Sequence, residues 1–270
     1  MLGPADGRYV LRGHAGEPEH VLVLQTVAAH PRRPRLTRRR ALRAAGDPAP
    51  TTVPVTRATL IGARPVGVDD EAHAWLESAE LVEEARAAVA VLNDVLHAER
   101  TVRADPFVRE IAVEQALVVR VGYGRGEEVA DGRWADARVL PPLRPTTSAR
   151  ANALRPQERF AALLAGRDVV LAAEELTLRA RLDLDRGRSR EAALQLRVAL
   201  EAALAELQAW AHRPEMAQRL AELAQERTAV AAAANRALEG GLDAEQIADV
   251  ERIVGRVEAA LTARVAGGLE

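Results

Sequence analysis

The sequence predicts an α-rich α+β protein: a small basic N-terminal region containing β-strands, a long helical connector, and a C-terminal antiparallel helical bundle. Three observations predict it. Aromatic residues make up only 3% of the 270 residues, so leucine, valine and alanine must build the core, which suits closely packed helices better than a β-sandwich. Apolar residues recur at three- and four-residue steps after residue 69, whereas the runs before it are short and bounded by glycine and proline. Charge divides at the same place. Residues 1–68 carry 11 arginines against Asp6, Glu17, Glu19 and Asp47, a formal +7, while the rest of the chain carries 26 arginines and 35 acids, a formal −9.

The first region, 1–68, opens with RYVL and HVLVLQTVA, which read as two strands separated by Gly13, Gly16 and Pro18. Residues 31–43 then read PRRPRLTRRRALR: Arg32, Arg33, Arg35, Arg38, Arg39, Arg40 and Arg43, with no acid among them. A random window of that length in this chain would hold about two arginines by composition. Within it Thr37 is placed to cap a short helix ending at Gly46. The stretch 47–54 is proline-rich loop, and 55–66 reads as a third strand.

The connector, 69–140, opens at Asp69 and Asp70 with a long helix whose stripe is Leu81, Ala85, Ala88, Leu92 and Val95. Acids in its early turns and Arg100 and Arg103 at its end complement the helix dipole. Asp105-Pro106 marks a restart, and FVREIAVEQALVVRV reads as a second helix stopping at Gly122, with 116–121 equally readable as a strand. Residues 122–140 read as irregular chain or a hairpin turning at Asp131-Gly132. A proline-rich linker, 141–155, follows.

The last region, 156–270, predicts four long helices, packed as a four-helix bundle or as stacked hairpins. The first runs from Pro156 to about Arg186 and ends at Gly187. The second is capped by Ser189 and ends near Ala211. The third starts at Pro214, with Met216, Leu220, Leu223, Val230, Ala234 and Leu238 on one face, and ends at Gly240-Gly241. The fourth opens on a capping box of Asp243 and Gln246 with a staple of Leu242 and Ile247. Its heptad stripe is Ile247, Val250, Val254, Val257, Leu261 and Val265. At 1.5 Å per residue such helices are ~30–45 Å long. The segment GRSREAALQLRVAL, 187–200, resembles the turn and second helix of a tetratricopeptide repeat, with Gly187, Ala192, Ala199 and Leu200 at matching small and apolar positions. No second copy lies 34 residues away, so the resemblance implies a tightly packed αα-hairpin and not a repeat array.

Composition removes several chemistries. All 37 basic residues are arginine and there is no cysteine. The absence of lysine excludes a P-loop lysine, a Schiff base and a lysine general base. The absence of cysteine excludes disulfides, thiolate catalysis and thiolate-bound metals. This usage matches the codon bias of a GC-rich, bacterial genome. No apolar run approaches a membrane span, and no signal peptide is expected, so the expectation is a cytoplasmic protein that does not enter membranes.

The remaining candidates are weak as sites. Gly122, Gly124 and Gly126 are spaced G-x-G-x-G, but Glu127 stands where a dinucleotide motif needs its third glycine. The histidines are scattered. His14, Glu17 and His20 are the nearest to a metal set, and the Glu-x-x-His pairs of di-iron bundles are absent. Ser78, Ser148 and Ser189 lack a nucleophile-elbow setting. Glu83/Glu84, Glu127/Glu128 and Glu174/Glu175 read as solvated faces. Asp183 and Asp185 read as partners of Arg179, Arg181, Arg186 or Arg188. No catalytic residue, cofactor or metal is therefore expected. The expected function is that of a non-enzymatic interaction or adaptor protein working through helical surfaces, with a protein partner or self-association. The alternative is a nucleic-acid-associated protein that contacts phosphates through the arginines of 31–43.

Overall fold

The structure is a computed structural model that describes residues 3–13, 15–29, 53–141, 143 and 156–266. The chain divides into two compact units, Met1–Pro145 and Thr146–Glu270. Helices and two small antiparallel sheets make the described residues an α-rich α+β fold.

In the first unit, β1 (Gly7–Arg12), β2 (Pro18–Ala29) and β3 (Val53–Gly62) form an antiparallel sheet in the order β1-β2-β3. Alternation sends Leu22 and Leu24 to one face, where they are buried with Leu92 and Leu96 of a helix; Tyr9, Leu11 and Leu60 complete that layer. The connector helix is two helices, α1 (Asp69–Ser78) and α2 (Leu81–Arg103). They part at Ala79, which is extended, and Arg138 donates to the freed carbonyls of Leu76 at 2.9 Å and Glu77 at 3.2 Å. Helix α2 ends with Ala104 in the left-handed region, φ 53°, and closes on bonds from the Ala104 and Asp105 amides to Thr101 and Arg100.

The helix expected from residue 106 does not form. This stretch is irregular apart from a 3₁₀ turn at Val113–Gln115, and β4 (Arg120–Tyr123) then pairs with β5 (Asp136–Val139). The competing interaction is Asn93 of α2, which is fully buried. Its Nδ2 donates to the Ile111 carbonyl, and its Oδ1 accepts from the Ile111 amide, both at 2.9 Å. A side chain that satisfies both backbone groups of one residue holds that residue outside a helical ladder. Gly122 accordingly stops no helix. It lies in β4, where a Cβ would clash with the Asp136 carbonyl. The β4–β5 connection carries a short helix, α3 (Gly126–Ala130), closed by Gly132 at φ 74°.

The helical unit contains α4 (Pro156–Leu164), α5 (Ala172–Asp185), α6 (Ser189–Glu206), α7 (Pro214–Gln225), α8 (Arg227–Glu239) and α9 (Ala244–Ala266). Two of the four expected long helices are therefore broken. The first stops where Gly166, φ 66°, closes α4 with bonds from Gly166 to Leu163 and from Arg167 to Ala162. The third breaks at Glu226, whose carboxylate accepts from Arg252 at 2.7 Å and Arg256 at 2.8 Å of α9. Past that break Ala237 is buried and Leu238 turns outward.

Gly187 joins α5 to α6 in the expected tight hairpin. Arg188, not Ser189, holds the cap position, and Ser189 makes no cap bond. The hairpin packs through Ala173, Ala180, Ala192, Ala193, Ala199 and Ala203, none of them more than 1% exposed. Glu206, at the end of α6, accepts from the amides of Ala172 and Ala173 at the start of α5. The Asp243–Gln246 capping box of α9 forms as expected.

Replacing Asn93 with alanine strands two buried backbone groups. We expect Asn93→Ala to lower the stability of the first unit by roughly 2–4 kcal/mol, measured by chemical denaturation, and to speed amide exchange at Ile111.

Candidate interaction surfaces

The register of β2 against β3 fixes where the arginine-rich segment enters and leaves the fold. Val27 pairs with Val55, Ala28 with Pro54 and Ala29 with Val53, whereas β1 pairs with β2 only as far as Leu24. Residues 25–29 and 53–57 thus form a two-stranded ribbon, and residues 30–52 connect its paired ends. Arg32, Arg33, Arg35, Arg38, Arg39, Arg40 and Arg43, with the helix expected after Thr37, lie outside the described residues. The ribbon's root is held by Asp6, whose carboxylate accepts from the Thr26 amide at 2.7 Å and the Thr26 hydroxyl at 2.9 Å.

Among the described residues, the most enclosed charged group is in the helical unit. Arg159 of α4 donates to Asp168 at 3.0 Å and to Glu174 at 2.7 Å. Arg264 of α9 donates to Asp168, to Glu174 at 3.4 Å and to the Val169 carbonyl at 3.4 Å. Its guanidinium lies 4.8 Å from the Trp210 ring centroid. The Asp168 side chain is 4% exposed and that of Arg264 6%. Burial alone raises a carboxyl pKa. Here hydrogen bonds from Arg159 and the Val169 amide, together with the charge of Arg264, outweigh burial and hold Asp168 below the ordinary carboxylate range. Two arginines and two carboxylates leave no net charge, so the cluster acts as a structural tie.

Sequence reading missed this cluster, although two signals were present. Gly166-Arg167-Asp168 marks a stop and restart. Arg264, not Val265, continues the spacing of Val250, Val254, Val257 and Leu261, and a charge at an inward heptad position needs a buried partner.

Of the carboxylate pairs expected on solvated faces, Glu174 is the exception, because Arg159 and Arg264 draw it into the enclosed cluster; the other candidates make local pairs. Glu127 pairs with Arg8, Glu83 with Arg86 at 2.8 Å and Glu175 with Arg179 at 2.8 Å. Asp183 takes Arg188 at 2.9 Å, one of the partners expected for it. The Ser78 hydroxyl donates to the Trp75 carbonyl. His73 lies 3.5 Å from Glu77 and 3.5 Å from Asp136; His73 and Asp136 are about half exposed and Glu77 mostly so. His14 and Ser148 lie outside the described residues. Among the described residues no group of three or more His, Cys, Asp or Glu is placed to hold a metal, and no helix is long and apolar enough to cross a membrane.

Several large apolar side chains of the helical unit are open to solvent, Leu178, Leu182, Val198 and Leu238 among them, and two further features bear on docking. Phe160 and Leu164, one turn apart on α4, are 59% and 74% exposed, and Val169 and Val170, a few residues on in the chain, are 61% and 63% exposed. An open groove of about 500 Å³ lies between the end of α6 and α7, with Leu204 and Leu220 in its lining and Ala205, Ala217 and Ala221 on its walls. Arg227, also in the lining, makes a two-pronged bond to Glu201 at 2.9 and 2.8 Å. Side chains this small let another backbone approach closely.

No family model, curated protein or solved structure matches this chain.

Proposed function

We propose that this chain is a non-enzymatic interaction protein that docks a protein partner on the surface of its helical unit, a second copy of itself included. The observation that carries the reading is the row of Phe160, Leu164, Val169 and Val170, four large apolar side chains each more than half exposed within eleven residues. Such a cluster costs solubility unless it meets a partner. None of the four belongs to the hydrophobic core of the unit, whose buried residues in this part of the chain begin at Leu171. The alanine-walled groove supports the same reading, since it accepts the apolar face of a helix.

Light scattering across a concentration series tests the self-association form. We expect the mean mass to rise above that of a monomer with concentration in the parent chain and to stay monomeric in the Phe160→Ser, Leu164→Ser double variant. Both positions are exposed, so the double variant retains its fold, each change costing within about 0.5 kcal/mol. A parent chain that stays strictly monomeric contradicts it.

The second reading, contact with nucleic-acid phosphates, is favoured by the strand register. The seven arginines of 31–43, with no acid among them, lie in the sequence between Ala29 and Val53, which pair with each other, and so dense a positive run attracts phosphates. Fluorescence anisotropy with a labelled oligonucleotide is expected to show affinity falling linearly with log salt. The Arg38→Ala, Arg39→Ala, Arg40→Ala variant is expected to reduce that slope by roughly one for each phosphate that is no longer neutralised. Unchanged affinity in the triple variant rejects this reading.

A further inference from the structure

We propose that residues 156–170 form an ion-latched strap, which lifts from the helical unit as a piece while the remaining helices stay folded. This device goes beyond the docking reading and does not rest on it. Apolar burial contributes little to holding the segment. Helix α4 buries Ala162 alone, Phe160 and Leu164 point outward, and the hydrophobic core of the unit begins only at Leu171. What fastens the segment is charge: Arg159 to Glu174, and Asp168 to Arg264.

The way the charges divide makes lifting feasible. The segment carries Arg159 and Asp168, which are bonded to each other at 3.0 Å. The body retains Arg264 and Glu174, which lie within 3.4 Å of each other. Glu174 also keeps its bond from the Leu171 amide at 3.0 Å, and Arg264 keeps the Trp210 ring. Opening therefore leaves one cation and one anion on each side and abandons no lone buried charge, the outcome that makes breaking most buried ion pairs so costly. The segment also carries its own helix closure, since the bonds from Gly166 to Leu163 and from Arg167 to Ala162 are internal to it. Few apolar anchors and self-contained backbone bonds are the marks of a unit that opens below the global unfolding free energy.

The chain has no cysteine, so a single introduced thiol reports opening without background. Ala162→Cys places it under the strap, where the parent residue is 2% exposed, and Ala199→Cys places it in the core of α6, where the parent residue is 0% exposed. Ala203→Cys is the second core control, and circular dichroism verifies the fold of each. We expect the thiol at 162 to react with an aromatic disulfide reagent at least roughly tenfold faster than either core thiol. Adding Arg159→Ala is expected to accelerate labelling at 162 by a further ~10-fold or more and to leave the core thiols unchanged. Equal labelling at 162 and in the core overturns the strap, because opening is then global unfolding. Acceleration by Arg159→Ala at all positions alike overturns it for the same reason. Faster labelling at 162 that Arg159→Ala leaves unaltered overturns the ionic latch. Amide exchange at Gly166 and Arg167 against Leu200 and Leu204 gives the same comparison should a thiol variant fail to fold.

Discussion

The helical unit closes on one charged contact. Asp168 and Glu174 both stand between an arginine from α4 and an arginine from α9, so the first and last described helices of the unit meet on a shared pair of carboxylates. Each arginine also reaches Glu174, so the two carboxylates are shared by both. Arg264 is as enclosed as a core leucine, and a guanidinium in that position must be matched by carboxylates and by a π face to offset its lost hydration. The consequences run outward from there. Glu174 is drawn into the cluster, which fixes the start of α5, and the bound position of the 165–171 turn determines which side chains of α4 face solvent. Those same solvent-facing residues, Phe160 and Leu164, carry the docking reading.

Around that contact the unit is built from small residues. A chain with 3% aromatics cannot fill wide gaps between helices, so its helices have to come close, and alanine at the α5–α6 contact allows it. Leu196, Leu200 and Leu207 fill the interior, together with Ile253, Val254 and Val257 from α9. The first unit solves a different problem. Its sheet has one helix against Leu22 and Leu24, and a buried asparagine pins a stretch that has no regular structure of its own. In both units a polar side chain specifies a connection that apolar burial alone would leave free to choose.

Legibility in the sequence followed the range of the interaction. The α5–α6 hairpin, the Asp243–Gln246 capping box and the inward stripe of α9 as far as Leu261 are local or periodic, and they could be read from spacing. The helix expected after Pro106 was lost to Asn93, 18 residues away from the Ile111 backbone it binds. The break at Glu226 has no proline or glycine to announce it, because its cause is Arg252 and Arg256 reaching from another helix. The break after α4 was announced by Gly166, and the periodicity on either side concealed it. The arginine-rich segment was visible in composition, but its setting between paired strand ends was not, because strand register depends on residues far apart in sequence. The apolar row on α4 could not be told from a core stripe, since spacing gives a face and not the direction it points.

The central claim is that Asp168 and Arg264 act as a coupled pair that fastens the two ends of the helical unit. A double-mutant cycle with Asp168→Asn, Arg264→Met and the combined variant measures that coupling directly in chemical denaturation. Each single change is expected to be costly, because it leaves the four-charge cluster with one unbalanced charge, and the double variant is expected to recover roughly 1.5–3 kcal/mol relative to the sum of the two. Additive effects, with coupling near zero, would contradict it.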